Sequence, residues 1–422
     1  MKAFRILRAL AALVSVLLLL AVLVGVWFYF QLRASRPQLD GTAALAGLGA
    51  TVRVERDALG IPTIYAANRA DAARALGYLH AQDRFFQMDL LRRRAAGELA
   101  ALLGRRALPA DQAVRVHGFR AIARTALAAD TAAHRGLADA YAAGVNAGLA
   151  ALGQVPFEYL LLRAQPEPWR PEDSYLVVHA MALELQDGKA GYERSLTLVR
   201  QVYDQSVADF FAPLQTPADA ALDDSAELLP PVPPPTRIDL RRRAVTVAAT
   251  DPTFDPAPVG SNAFAVAAGR TADGGALLAG DMHLRLGLPN TWYRVALIWD
   301  DSAGGSRRVT GFTLPGAPAV VVGSNGRIAW SFTNAQIDTS DVVVVEPNTV
   351  TRSLYKVGAE NVELGRRTEV IAVKGGDPVT LEVETTVWGP YIGVGEKTRP
   401  LALRWTMHDP AATNYRLLEL ES

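Results

Sequence analysis

The stretch Gly260-Ser261-Asn262-Ala263-Phe264-Ala265-Val266-Ala267 decides the fold, because an apolar strand pattern begins there abruptly behind a Pro-rich tract. Residues 213–260 carry Pro230-Pro231-Val232-Pro233-Pro234-Pro235 and Asp255-Pro256-Ala257-Pro258, a composition that favours extended polyproline segments and buries no core. That segment reads as a spacer. Behind it, Ala263, Ala265 and Ala267 alternate with Phe264 and Val266, Asp273-Gly274 signals a turn, and Ala276 to Ala279 resumes the apolar run. The pattern predicts a hairpin with Ser261 at the open end of its first strand.

A serine hydroxyl is a weak nucleophile until a base takes its proton. Cleavage before Ser261 would place a free α-amino group, with a reference pKa of roughly 7.7–8.0, within reach of the same residue's Oγ. Gly260 suits such a step, since a residue without Cβ tolerates strained angles and lets Oγ approach the preceding carbonyl. An isolated Gly-Ser pair is far more often an ordinary serine after a loop glycine. The surrounding residues separate the two readings.

Three runs do so. From Ser261 the chain continues through Gly280-Asp281-Met282-His283-Leu284; a second run is Leu314-Pro315-Gly316-Ala317-Pro318, then Gly323 to Asn334 and Asp338-Thr339-Ser340-Asp341. The third lies upstream, in Arg56-Asp57-Ala58-Leu59-Gly60-Ile61-Pro62 and Gly77-Tyr78-Leu79-His80-Ala81-Gln82-Asp83-Arg84. In this order the runs resemble the α-chain start and β-chain start of the penicillin acylase family of N-terminal-nucleophile hydrolases, over nearly everything after residue 50. The chain departs from the family at Phe264, Met282, Ser324 and Ser331, where Trp, Pro, His and Gly are common; none of these removes a catalytic atom.

The resemblance implies an α+β fold, an αββα sandwich preceded by a largely helical α-chain part. It implies self-cleavage between Gly260 and Ser261, attack of Ser261 on an amide, orientation of the new amino group by His283, and an oxyanion contact from the Asn334 backbone N–H. Leu284 and Val322 fall on acyl-pocket positions, both aliphatic. Glu193, Asp338, Ser340 and Asp341 match a structural calcium site, whose hard oxygen donors suit that ion; no organic cofactor is implied. The substrate expected is a small acyl amide, such as a β-lactam side chain or an N-acyl homoserine lactone, and the partners are the chain's own α and β products. The family's β chain is much longer than residues 261–422, so the chain reads as an N-terminal fragment with an incomplete sandwich, weak or inactive alone. A non-catalytic relative acting in binding is the alternative.

Composition narrows the classes further. Forty-three basic residues balance 43 acidic ones, which gives no electrostatic case for nucleic acid, and the absence of cysteine excludes thiol catalysis, disulfides and cysteine-ligated zinc. Residues 9–30 are uncharged and apolar, long enough as a helix for the bilayer core, with Lys2, Arg5 and Arg8 ahead of them. This predicts an inner-membrane anchor with a periplasmic catalytic part, a cleaved signal being the other reading. Residues 1–36 are thus anchor or signal, 37–212 the α-chain region, 213–260 the spacer and 261–422 the β-chain region. Ala70 to Leu103, Asp130 to Leu152 and Asp173 to Leu185 read as packing helices, and Arg92-Arg93-Arg94 as a solvated or ion-paired helix face. His80, Asp83, His117, His134, His179 and His408 read as organisers of the fold.

Overall fold

The computed structural model describes residues 2–213, 229–239, 260–284, 286–301, 304–335, 337–351, 353–394 and 400–421. Most of the stretch read as a spacer, 213–260, lies outside the described residues. The first half is helical: α1 (Lys2–Ala34), α2 (Arg69–Ala96), α3 (Ala100–Leu103), α4 (Leu108–Arg115), α5 (Phe119–Ala129), α6 (Ala132–Ala150), α7 (Phe157–Leu162), α8 (Pro171–Leu185), α9 (Gly191–Val202) and α10 (Gln205–Phe211). The Ala-rich run from residue 70 to 103 is broken at Gly97, which takes the left-handed conformation at φ 65° and returns its N–H to the last carbonyls of α2.

Helices α2 and α6 meet backbone to backbone. A Cβ at Gly144 would stand 1.9 Å from the Arg74 carbonyl oxygen, one at Gly148 2.3 Å from that of Tyr78, and one at Gly77 2.3 Å from that of Tyr141. No larger residue fits these three positions without moving a helix. Asn68 caps α2, its side chain accepting from the Asp71 N–H.

Two short strands, β1 (Arg53–Arg56) and β2 (Pro62–Ala66), precede α2, and the others follow Gly260: β3 (Ser261–Val266), β4 (Leu277–Met282), β5 (Tyr293–Asp300), β6 (Ser306–Thr313), β7 (Val320–Ser324), β8 (Ala329–Trp330) and β9 (Ser340–Val344), with six more among the described residues between Leu354 and Trp405. The larger sheet runs β1-β2-β5-β6-β7-β8. Its β2–β5 pairing is parallel, Thr63 opposite Ala296 and Ile64 opposite Leu297, whereas its other neighbours are antiparallel. The mostly helical α-chain region therefore supplies two strands to the sheet of the β-chain region. The predicted hairpin is present as an antiparallel β3–β4 pair, with Ser261 opposite Met282 and Asn262 opposite Asp281. The architecture is α+β, as expected.

Buried polar groups join these layers. Tyr141 Oη accepts from the Gly316 N–H at 2.9 Å and lies 2.6 Å from His80 Nδ1, while His80 Nε2 lies 3.0 Å from Thr313 Oγ1, which donates to the Tyr293 carbonyl at 3.1 Å. Because Thr313 already donates to a carbonyl, it must accept from Nε2–H, so Nδ1 accepts from Tyr141; one neutral tautomer satisfies every partner. Of the arginine run, only Arg94 reaches solvent, half-buried and paired with Glu184. Arg92 and Arg93 are buried and ion-paired: Asp89 accepts from both, and Asp173 takes Arg92 on one oxygen and Arg120 on the other. A solvated face does not describe them. Their fork geometry matches carboxylates on α2, on α8 and on the loop before α8 at once.

A second histidine group joins α8 and the loop before α5 to the C-terminal region. His117 Nδ1 lies 3.1 Å from His408 Nε2, His179 lies 3.3 Å from Thr413 Oγ1, and the rings pack on Phe119 and Trp405. Burial first, then the neighbouring histidines and Arg367, lowers His117 to about 3; burial and then Arg367 lowers His408 to about 4, and burial lowers His179 to about 4. His80 is lowered to about 3 by burial and Arg84. Below about pH 6.5 the unfolded chain binds protons that these folded imidazoles refuse, so their contribution is full above that value and is lost as pH falls toward 4 and 3. The urea midpoint of the protein should drop between about pH 7.5 and about pH 5. The His117→Gln, His408→Gln double variant should show a shallower drop; an unchanged slope would show that this pair carries no part of the linkage.

Candidate active site

The β3–β4 register fixes the site. Because Ser261 faces Met282, the next residues out, Gly260 and His283, stand opposite each other at the mouth of the hairpin. The Gly260 carbonyl oxygen accepts two hydrogen bonds, from the Ser261 hydroxyl at 2.5 Å and from the His283 N–H at 3.2 Å. His283 Nδ1 would be 2.9 Å from a Cβ on Gly260, which leaves room there for glycine and little else. On its other side, His283 Nε2 is 3.1 Å from Asp281 Oδ2 and 3.2 Å from Asn262 Nδ2, and the Asn262 N–H donates to Asp281 Oδ1 at 2.8 Å. Nε2–H donating to the carboxylate leaves the Nδ1 lone pair beside Gly260.

Asp281 is the residue that sequence reasoning missed. Its carboxyl is held below the usual range by its hydrogen bond to His283 and then by the Asn262 N–H. The signal was available: a hairpin beginning at Ser261 places Asp281 across from Asn262 and two residues before His283. The hairpin rests on the residue after β8. Ser331 Oγ would be 2.0 Å from a Cβ on Gly280, and that hydroxyl is buried without a hydrogen-bond partner.

The other candidates are dispersed. Asn334 is tied by its side chain to the Leu185 carbonyl at 3.3 Å, and no hydrogen bond joins it to Ser261 among the described residues. Val322 sits on β7 opposite Phe312, whereas half-buried Leu284 lies past the end of β4 with its N–H on the Met282 carbonyl at 2.8 Å, so the two do not share a sheet. Glu193 on α9 lies in the field of Asp338 and Asp341: its carboxyl is raised by burial first, then by those two acids, with Asp187 adding a smaller push that the sequence did not reveal. Asp338, Ser340 and Asp341 line a cleft together with Arg404, Thr406 and Asp409. Their oxygen donors have the hardness calcium prefers. Among the described residues, however, no three His, Cys, Asp or Glu side chains stand close enough to hold an ion.

The penicillin amidase family profile matches residues 51–421, and the chain is a member of that family. It is 36% identical over 371 residues to the penicillin acylase 2 proenzyme of Pseudomonas sp. strain SE83, covering 86% of this chain and 46% of that protein. It is 30% identical over 397 residues to the acyl-homoserine lactone acylase QuiP of Pseudomonas aeruginosa, covering 90% and 45%. The chain thus spans about half the length of the curated relatives it matches. Among solved structures, it is similar to the thermostable penicillin G acylase of Alcaligenes faecalis in its tetragonal form, at 26% identity and a TM-score of 0.36, covering 42% of this chain and 98% of that one.

The Gly280–Ser331 contact yields a direct test. Gly280→Ala should destabilise the hairpin's seat by about 1–3 kcal/mol, the usual cost of overpacking, and adding Ser331→Gly should recover most of that loss in thermal unfolding. Additive effects of the two substitutions would mean that the hairpin does not rest on Ser331.

Proposed function

We propose that the protein is a self-cleaving amidohydrolase of the penicillin acylase kind, with Ser261 as the nucleophile. The observation that carries this reading is the double hydrogen bond to the Gly260 carbonyl, from Ser261 Oγ–H and His283 N–H. In the first step Ser261 Oγ attacks the Gly260 carbonyl carbon. The His283 N–H donates to the oxygen as negative charge builds on it, in the manner of an oxyanion donor. The C–N bond breaks, the hydroxyl proton ends on the Ser261 nitrogen, and the resulting ester is hydrolysed by water to a Gly260 carboxylate and a free Ser261 α-amino group.

That amino group then serves as the base for Oγ, directly or through one water, in attack on a substrate amide; the acyl-enzyme is released by a second water. His283, held by Asp281, orients the amino group. Asn334 N–H is assigned as an oxyanion donor, and the aliphatic Leu284 and Val322 as part of an apolar acyl pocket. The substrate class is an acyl amide, a β-lactam side chain or an N-acyl homoserine lactone, following the names of the relatives. The apolar helix α1, long enough to cross a bilayer and with none of its apolar core buried by protein, is assigned as an uncleaved anchor that leaves the rest in the periplasm.

A precursor carrying this chain should appear as two pieces on denaturing gels, the second beginning at Ser261. Ser261→Ala should remain whole, and Gly260→Ala should be cut more slowly because its Cβ meets the His283 ring. An N-terminus at any other residue would falsify the assignment, and hydrolysis of acyl amides of graded chain length by the processed protein would name the acyl group.

We further propose that Glu193, Asp338, Asp341 and the Ser340 carbonyl bind calcium, which would neutralise the two aspartates whose field raises the Glu193 carboxyl. Binding calls for these groups to close up. Calcium should then raise the melting temperature, by an amount that Glu193→Gln and Asp341→Asn diminish; a melting temperature indifferent to calcium and to chelator would remove the site.

A further inference from the structure

The end of α1 does not leave the body as a free tether. Phe28, Gln31, Leu32 and Ala34 are partly covered, the Ala34 carbonyl accepts from the Gln154 N–H at 3.1 Å, and Gly153 packs on the same residue. The turn that takes these contacts leads straight into α7, whose exposed face carries Phe157, 41% accessible, and Leu161, 62% accessible, one helical turn apart. Beyond α7 the surface continues across the turn at Lys374: Lys374 Nζ donates to the Leu162 carbonyl, the Lys374 N–H donates to the Ala100 carbonyl at 2.9 Å, and Gly104 abuts the Lys374 carbonyl. Beside Gly104 stand Leu103, 42% accessible, and the exposed Arg105 and Arg106; Arg163 is exposed at the end of α7.

We propose that this face, formed by α7, Leu103-Gly104-Arg105-Arg106 and the turn at Lys374, lies on the lipid–water interface and is a second membrane contact that sets the orientation of the body. The inference rests on the reading of α1 as an uncleaved anchor. Its chemistry is that of a surface-seated amphipathic element: large apolar side chains that enter the headgroup boundary by roughly 5–10 Å, ringed by cations. Lys374, Arg105, Arg106 and Arg163 outnumber the acids on the same elements, Glu158 and Asp377. An anionic bilayer is therefore the occupant that fits. The continuity with α1 matters most, because the hydrogen bond from Gln154 to Ala34 keeps α7 within a few residues of the point where the anchor ends.

The chain has no cysteine, so single cysteines report without background. The full chain is reconstituted in phosphatidylglycerol-containing vesicles with an environment-sensitive fluorophore at Val22→Cys, Leu161→Cys, Leu103→Cys or the highly exposed Val350→Cys, and quenched by nitroxides placed high or low on the lipid chains. The expected result is strong quenching at Val22, quenching at Leu161 and Leu103 that is greater for the high nitroxide than for the low one, and none at Val350. Arg105→Gln and Arg106→Gln should each reduce the lipid-contacting population by about five-fold, the weight of one cation at an anionic surface. Quenching at Val22 without quenching at Leu161 and Leu103 overturns the second contact and leaves the anchor standing. Absence of lipid quenching at Val22 overturns the anchor, and the second contact with it.

Discussion

The dry core around His80 admits one proton arrangement, and the layers of the protein are positioned by it. A backbone N–H at Gly316 points at Tyr141, Tyr141 at His80, His80 at Thr313, and Thr313 at the Tyr293 carbonyl, so α6, α2, β6, β5 and the loop after β6 share a single directed chain. Reversing any one link leaves a buried donor facing a donor, at the cost of an unsatisfied polar group, about 1–3 kcal/mol. The glycine contacts between α2 and α6 bring these side chains within reach, because a longer separation would put Tyr141 out of range of His80. The hairpin that opens on Ser261 is remote from this chain yet depends on it, since β5 and β6 lead through β7 to β8 and Ser331.

Charge serves a related purpose on the other side of α2. Asp89 and Asp173 are fully enclosed and carry no water-facing atoms, which would be prohibitive for isolated carboxylates. Arg92, Arg93, Arg120 and the Tyr159 hydroxyl occupy their oxygens, so α2, α5, α7 and α8 are located relative to one another through these two carboxylates. Networks of this kind add specificity of arrangement more dependably than they add stability.

Much of this was legible from the chain, and the limits follow from the range of each interaction. The hairpin at Ser261 was readable because alternation in Ala263-Phe264-Ala265-Val266 and the Asp273-Gly274 turn are local, and register then carries Gly260 to His283. The helices after residue 70 were readable from unbroken Ala and Leu content. What escaped was non-local: Thr63 to Ile64 gives only five residues of strand around it, and nothing nearby announces that its partner is Ala296. The burial of Arg92 and Arg93 escaped for the same reason, since Asp173 and Glu167 stand far along the chain. Asp281 was a failure of another sort, an acid within a readable hairpin whose cross-strand role was not followed through.

The parallel pairing of β2 with β5 has a consequence for synthesis. The edge of β2 has its hydrogen-bonding groups ready when residue 66 leaves the ribosome, yet the partner edge is made only after residue 300. At roughly 5–20 residues per second this leaves the strand waiting for some tens of seconds, with backbone donors and acceptors open to any passing chain. The helices α2 to α8 are complete in that interval and can assemble through their glycine contacts and buried ion pairs, which hold β1 and β2 against a formed surface. Order of emergence thus favours a helical nucleus onto which the later strands add, and an early arrest before β5 would release a product whose most adhesive element is exposed.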